Sequence, residues 1–341
     1  MELVKRAHYH NLIRFGEANP KVVVLSADLT ASCEADGFRD TFPERFFSLG
    51  LAEQNMMGFA AGMAREGYSP YVHTFAVFIT RRPFDQVAMS IAYANLKVRL
   101  IGFLPGVTTP GGVTHQAIDD VGLMRLIPNM TIIDCGDATE VESALDVAEA
   151  VDGPVYVRML RGEVPRLFPA DEKLVLGQVR TLCEGDDLLI VSSGISTEEA
   201  IRGVGVLEAL GVRVTHLHVN TLKPFDPTPV LEAARHVRAG VITMENHSVI
   251  GGLGALVAES MAEAGLGKKL RRIGIQDRYA HGAGKRYLMR EMDIDAHALL
   301  RIAEDLLQTA VSVTPEALAL NAEAPASADP AAAPIDKVED L

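Results

Sequence analysis

With 341 residues the chain is long enough for two domains of ordinary size, each with its own core. Its 48% hydrophobic and 23% charged residues describe a well-filled globular protein, and a net charge of −13 argues against general affinity for nucleic acid. No run approaches about 18 uninterrupted apolar residues, so no membrane partner is expected.

The start, Met1-Glu2-Leu3-Val4-Lys5-Arg6, lacks the apolar core of a signal peptide, and a cytoplasmic location is the expectation. Helical spacing covers roughly residues 3–16. Val22-Val23-Val24-Leu25-Ser26 is then a continuous apolar strand of the kind found in parallel sheets covered on both faces. Similar strands recur at Phe46-Phe47, Val98-Arg99-Leu100-Ile101, Thr131-Ile132-Ile133 and Val155-Tyr156-Val157, with helical stretches between them. A loop-rich passage with Gly162, Pro165 and Pro169 follows from Arg161 to about Gly177. A second alternating set runs through Leu188-Leu189-Ile190-Val191, Val212-Arg213-Val214, Val241-Ile242-Thr243 and Arg272-Ile273-Gly274-Ile275, closed by an amphipathic helix over 295–307. The expected fold class is α/β, with two doubly wound domains at 1–168 and 181–309 joined by a linker at 169–180. Residues 310–341 read as a disordered Ala-, Pro- and acid-rich tail. Glu316, Glu323, Asp329, Asp336, Glu339 and Asp340 against Lys337 place about −5 of the net charge there. Cys33, Cys135 and Cys183 lie far apart without CxxC pairing, so neither a disulfide framework nor a zinc site is expected.

Three features could carry chemistry. Glu53 opens a helix containing Gly58, Ala60, Ala61, Gly62 and Ala64, small residues that allow close packing and hence a buried first turn. Burial raises the pKa of such a carboxylate, although on spacing alone a simple helix cap is the plainer account of an acid there. His73-Thr74-Phe75-Ala76-Val77-Phe78 places two phenylalanines at a strand-to-helix junction, as core or as a platform for a flat ring. Pro110-Gly111-Gly112-Val113-Thr114-His115-Gln116 sets a histidine after a glycine-rich loop that follows a strand, where open α/β sheets bind ligands.

In order and spacing, Ser26-Ala27-Asp28-Leu29, Gly50-Leu51-Ala52-Glu53-Gln54, Thr74-Phe75-x-x-Phe78, Thr114-His115-Gln116 and Pro128-Asn129-Met130 resemble the C-terminal half of transketolases. Arg158-Met159-Leu160-Arg161-Gly162 and Asp85-Gln86 are similar to the related 1-deoxyxylulose-5-phosphate synthases. The resemblance covers about residues 4–309 and implies a pyrimidine-binding domain followed by a transketolase C-terminal domain. It also implies thiamine diphosphate as cofactor. Glu53 matches the glutamate at pyrimidine N1′, whose contact promotes loss of the thiazolium C2 proton. Phe75 and Phe78 match the stacking aromatics, Asp28 and Leu29 match cofactor-lining positions, and Arg81 stands where an aromatic residue usually closes the pyrimidine pocket. His115 matches the histidine beside the reacting carbonyl. Ser32 and Arg161 match positions that hold the substrate phosphate, with Lys5 and Arg6 competing for a further basic position.

Departures from the family pattern shape the expectation. No Gly-Asp-Gly motif is present, and neither Glu184-Gly185-Asp186-Asp187 nor Cys135-Gly136-Asp137-Ala138 replaces it. The chain should therefore hold half a cofactor site, with Mg²⁺ and the diphosphate bound by an N-terminal transketolase subunit in an α2β2 heterotetramer. Gly111 replaces an Asp that reads a sugar hydroxyl, and Phe103 replaces a His near the substrate phosphate. The expected reaction is two-carbon ketol transfer between a less common ketose, phosphorylated or not, and an aldehyde acceptor. The β subunit of a 2-oxoacid dehydrogenase and a non-catalytic partner of the same fold remain alternatives. Glu245-Asn246-His247-Ser248 with Gly251-Gly252-Leu253-Gly254 resembles a turn of the C-terminal domain and is read as structural. Lys268-Lys269-Leu270-Arg271-Arg272 with Lys285-Arg286 reads as a solvated face, and docking of the partner or an acidic tail is the second reading.

Overall fold

The computed structural model describes residues 2–309, and the tail expected at 310–341 lies outside the described residues. Its first sheet has seven strands, in the spatial order Thr221–Lys223, Thr131–Asp134, Val155–Met159, Arg99–Phe103, Ser69–Phe75, Val22–Ser26 and Phe46–Ser48. All pair in parallel except Thr221–Lys223. The alternation of side chains explains why a continuous apolar strand suits this sheet. Val22 and Val24 join Leu12 and Phe15 in the core on one face, whereas Val23 and Leu25 join Met56, Met57 and Ala60 on the other. Burying each such large side chain contributes about 1.5–3 kcal/mol before conformational entropy is counted.

The second sheet runs Leu270–Ile275, Gly240–Ser248, Leu188–Ser192, Val214–Val219 and Val179–Cys183, with the last strand antiparallel at the edge. The closing helix Ala296–Leu307 is capped by Asp295, whose side chain accepts from the Ala298 N–H.

Two elements depart from the sequence reading. Residues 3–16 are not one helix: Leu3–Lys5 pairs with Glu163–Pro165, Arg6 turns left-handed at φ 50°, and the helix spans Ala7–Ala18. Thr221–Lys223 leaves its own sheet to pair with Thr131–Asp134 in the first. In both cases a distant partner strand decides, which local periodicity cannot register.

The strand order reverses direction at Val22–Ser26. The chain goes from there to Phe46–Ser48 on one side and returns at Ser69–Phe75 on the other. Such a switch point opens a crevice beyond the carboxyl ends of the strands.

Candidate active site

Apart from Lys5 and Arg6, the candidate residues sit at or after the carboxyl ends of parallel strands in the first sheet. Asp28, Leu29 and Ser32 follow Val22–Ser26, Glu53 follows Phe46–Ser48, Phe75 ends its own strand, Gly111 and His115 follow Arg99–Phe103, and Arg161 follows Val155–Met159. Residues scattered over 130 positions of sequence thus share one edge of one sheet.

At the switch point Phe75 and Phe78 lie nearly parallel, with ring centroids 5.8 Å apart at 24°. The His115 ring meets both edge-on, at 6.1 Å from Phe75 and 5.3 Å from Phe78. Its Nδ1 shares a 2.8 Å hydrogen bond with Thr114 Oγ1, which leaves Nε2 to face a ligand. Glu53 is the first residue of the helix Glu53–Arg65 and is 4% exposed. Arg82, not foreseen from sequence, donates from Nη1 to Glu53 Oε1 at 2.6 Å and lies 4.0 Å above the Phe78 ring. The spacing could have revealed it, because residues four apart on a helical turn share a face. Arg81 does not face the aromatic pair in the manner of a closing ring. It donates from Nε to both Asp119 oxygens at 3.0 Å. Asp28 is exposed and adopts φ 63°, a left-handed turn that ends the strand loop. Leu29 is partly buried against the core.

Beside the loop after Val22–Ser26, Arg161 Nη1 donates to the Ser32 carbonyl at 2.8 Å. Glu34 accepts from the Gly162 N–H at 2.7 Å and the Tyr9 N–H at 3.3 Å. Burial pushes the Glu34 carboxyl above its ordinary range, against the pull of these N–H groups and of Arg6 and Arg161. Arg6 pairs with Asp36 and stacks on Tyr9, whereas Lys5 pairs with Glu163 and is largely exposed. Arg6 is therefore the basic residue that shares Glu34 with Arg161. A cavity of about 250 Å³ borders this side, lined by Arg161, Thr108, Ile195, Glu198 and Lys285.

The two family departures have structural counterparts. Phe103 is fully buried and packs edge-on against His8 at 5.1 Å, so no polar group stands at its position. A Cβ on Gly111 would fall 3.0 Å from His115 Cγ, so the glycine leaves room for this placement of the imidazole.

Beneath the loop lies a fully buried ion cluster. Arg158 donates from Nε to Asp120 at 2.8 Å and from Nη1 to Asp134 at 3.0 Å, and Tyr156 donates to Asp120 at 2.6 Å. Among the described residues, no group of three or more His, Cys, Asp or Glu is placed to hold a metal ion. No helix among them is long and apolar enough to cross a membrane.

Comparison with known proteins gives the family of the two domains. The family model for the transketolase pyrimidine-binding domain matches residues 4–166, and that for the transketolase C-terminal domain matches residues 177–298. A putative uncharacterised transketolase family protein of Sinorhizobium fredii is 42% identical over 79% of each chain. The 6-deoxy-6-sulfo-D-fructose transketolase subunit of a Clostridium species is 37% identical over 87% of this chain and 92% of its own. A solved structure described as a split-gene transketolase in an inactive β4 tetramer superposes with a TM-score of 0.79 at 37% identity, covering 89% of this chain and 97% of that one. The chain belongs to the transketolase family, as a pyrimidine-binding domain joined to a transketolase C-terminal domain.

Proposed function

We propose that this chain is the C-terminal subunit of a split transketolase, which transfers a two-carbon ketol unit with thiamine diphosphate once a partner subunit supplies the diphosphate and Mg²⁺ sites. The observation that carries the reading is the parallel Phe75–Phe78 pair beside a buried Glu53 at the switch point, in a chain without a Gly-Asp-Gly motif. The residues fit a flat nitrogen heterocycle, with aromatic faces for stacking and a buried carboxylate for a ring nitrogen. When bound, the cofactor supplies carbanion stabilisation.

The chain's own residues orient and move protons. Glu53 would hold the pyrimidine at its N1′, and a hydrogen bond made in so buried a setting is stronger than one made in water. His115, fixed through Nδ1 by Thr114, offers Nε2 to the substrate's carbonyl or hydroxyl oxygen as acid or ligand. Arg161 with Ser32, and Arg6 nearby, favour an anionic group on the sugar. Asp28 and Leu29 would line the approach to the pyrimidine, whereas Arg81 is tied to Asp119. The apolar Phe103 and the side-chain-free Gly111 favour a ketose whose hydroxyls and anion differ from those of the common pentose phosphates. A sulfonated deoxy-ketose of the sort named for the Clostridium relative is one such sugar. The same relative is named as a subunit, and the split-gene neighbour is described as inactive when built of β chains alone. Both favour a requirement for a partner, arranged as α2β2.

The test is reconstitution with a candidate partner carrying Gly-Asp-Gly…Asn. Two-carbon transfer should require both chains, thiamine diphosphate and Mg²⁺, and should favour 6-deoxy-6-sulfofructose over xylulose 5-phosphate with ribose 5-phosphate. Tight binding of thiamine diphosphate and Mg²⁺ by this chain alone would overturn the split reading. Full activity on the pentose phosphates would overturn the substrate reading.

A further inference from the structure

We propose that Asn246, on the second sheet, is a positioning residue for the loop that carries Gly111 and His115, so that the C-terminal domain sets the geometry of the substrate side. The inference rests on the proposed function for its catalytic consequence, though not for the clamp itself. Asn246 is 2% exposed at the end of the strand Gly240–Ser248. Its Oδ1 accepts from the Val107 N–H at 3.1 Å, and its Nδ2 donates to the Pro105 carbonyl at 3.1 Å. One side-chain amide thus satisfies a donor and an acceptor of the loop backbone, in the manner of a neighbouring strand.

Gly106, between those two residues, has φ 63°, and a Cβ there would lie 2.3 Å from the Asn246 amide atoms. The glycine and the asparagine therefore form one interlocked unit. Asn246 is itself held in place, because its own carbonyl accepts from Arg158 Nη2 at 3.0 Å and Arg158 is fixed by Asp120 and Asp134. The loop closes on itself through Gly106 N–H to the Ala117 carbonyl at 2.8 Å.

Other contacts from the second domain follow the same loop towards His115. Gln116 Nε2 donates to the His281 carbonyl at 3.0 Å, and the Ser248 N–H donates to the Ile118 carbonyl at 2.8 Å. Gly282 lies against Pro110 and Gly112. These contacts are all to the loop, whereas Glu53, Phe75 and Phe78 stand on other elements of the first domain. A buried asparagine that only satisfies its own polar atoms would weaken the fold when removed, without singling out one loop. The clamp makes a different prediction.

Hydrogen exchange on the full chain reads the clamp without partner or substrate. Asn246→Ala should speed amide exchange in residues 104–112 by about tenfold or more, since two buried hydrogen bonds are lost. Residues 69–78 should stay within about twofold. Asn246→Asp keeps the acceptor for Val107 but loses the donor to Pro105, and should fall between. Gly106→Ala approaches from the loop side and should reproduce the loosening if Asn246→Ala fails to fold. In the reconstituted enzyme, kcat of Asn246→Ala should drop about 10²-fold while the thiamine diphosphate Kd stays within about twofold, with partial rescue by Asp. Unchanged loop exchange in the variants would overturn the clamp, as would exchange rising equally throughout the chain. Loosened exchange with unchanged kcat would overturn the positioning role. Loosened exchange in a reconstituted protein without transketolase activity would instead count against the proposed function.

Discussion

At the scale of single residues, Glu53 would carry the proposed chemistry, and its carboxylate is paired with Arg82. A buried carboxylate is costly unless paired, and Arg82 offers a 2.6 Å partner from a half-exposed position. Glu53→Gln keeps an acceptor oxygen for Arg82, so the chain should fold normally, with a melting temperature within a few degrees. Turnover of the reconstituted enzyme should nevertheless drop by about 10²–10⁴, and retained turnover would favour the non-catalytic reading. Gly111 decides how the imidazole lies. Gly111→Asp restores a carboxylate, but its Cβ meets His115 at 3.0 Å, so the ring must shift. We expect kcat/KM on xylulose 5-phosphate to fall or stay level. A rise would show that the loop yields at no cost to His115.

At the scale of elements, the helix Glu53–Arg65 faces two ways. Met56, Met57 and Ala60 are buried, whereas Gln54, Asn55, Gly58 and Gly62 are exposed, and a Cβ on either glycine would meet nothing within 4 Å. Ala60 and Ala61 are buried as the small-residue density suggests, but Gly58 and Gly62 do not pack this helix within its own chain. Phe59, at 37% exposed, lies on the same helix, with Leu51 exposed just before it, Met89 exposed on the neighbouring helix Val87–Ala92 and Tyr93 exposed just after that helix. An apolar, side-chain-poor face next to Glu53 suits close approach of the partner subunit. Gly62→Leu should leave the isolated chain as stable or raise it by up to about 1 kcal/mol through helix propensity. It should weaken assembly with the partner in sedimentation velocity. Unaltered assembly would exclude this face.

At the scale of the whole molecule, buried polar links join the two domains. Glu140, from the first, accepts from His218 at 3.1 Å and from Asn220 at 3.1 Å, and Thr221–Lys223 extends the first sheet. Glu245 sits fully buried and accepts the Leu253 and Gly254 N–H groups at 2.7 and 2.8 Å, capping the helix Leu253–Glu263. A Cβ on Gly252 would fall 1.9 Å from Glu245 Oε2, so the glycines of this turn leave room for the cap. Burial pushes the Glu245 carboxyl up to about 7 from 4.5. The folded chain therefore holds a proton there that the unfolded chain has released, so this group favours folding below about pH 4.5 and loses that contribution as the pH rises to about 7. A fully neutral Glu245→Gln lacks the effect. From pH 5 to pH 8 its stability relative to the native chain should improve by on the order of 2–3 kcal/mol, read from thermal melts. A constant difference would show that Glu245 is ionised throughout.

Local chemistry was enough to place most strands of both sheets, the closing helix after Asp295 and the run from Gly50 to Gln54, but not Val179–Cys183 or Thr221–Lys223. Apolar periodicity, turn residues and a specific motif are written in neighbouring positions and are read there. Glu53, Phe75, Phe78 and His115 stand out by their places at a helix start, a strand end and a glycine-rich loop, and the resemblance adds Ser32 and Arg161 and the role proposed for each. What the sequence could not supply were relations between distant residues. The strand Leu3–Lys5 exists because Glu163–Pro165 lies beside it. That Arg6 pairs with Asp36 and Lys5 with Glu163 follows from where those acids stand. Arg82 gains its meaning from Glu53, and Asn246 from a loop some 140 positions earlier. Each of these is a pairing of polar groups far apart in sequence, and only the tertiary structure decides which partner meets the need.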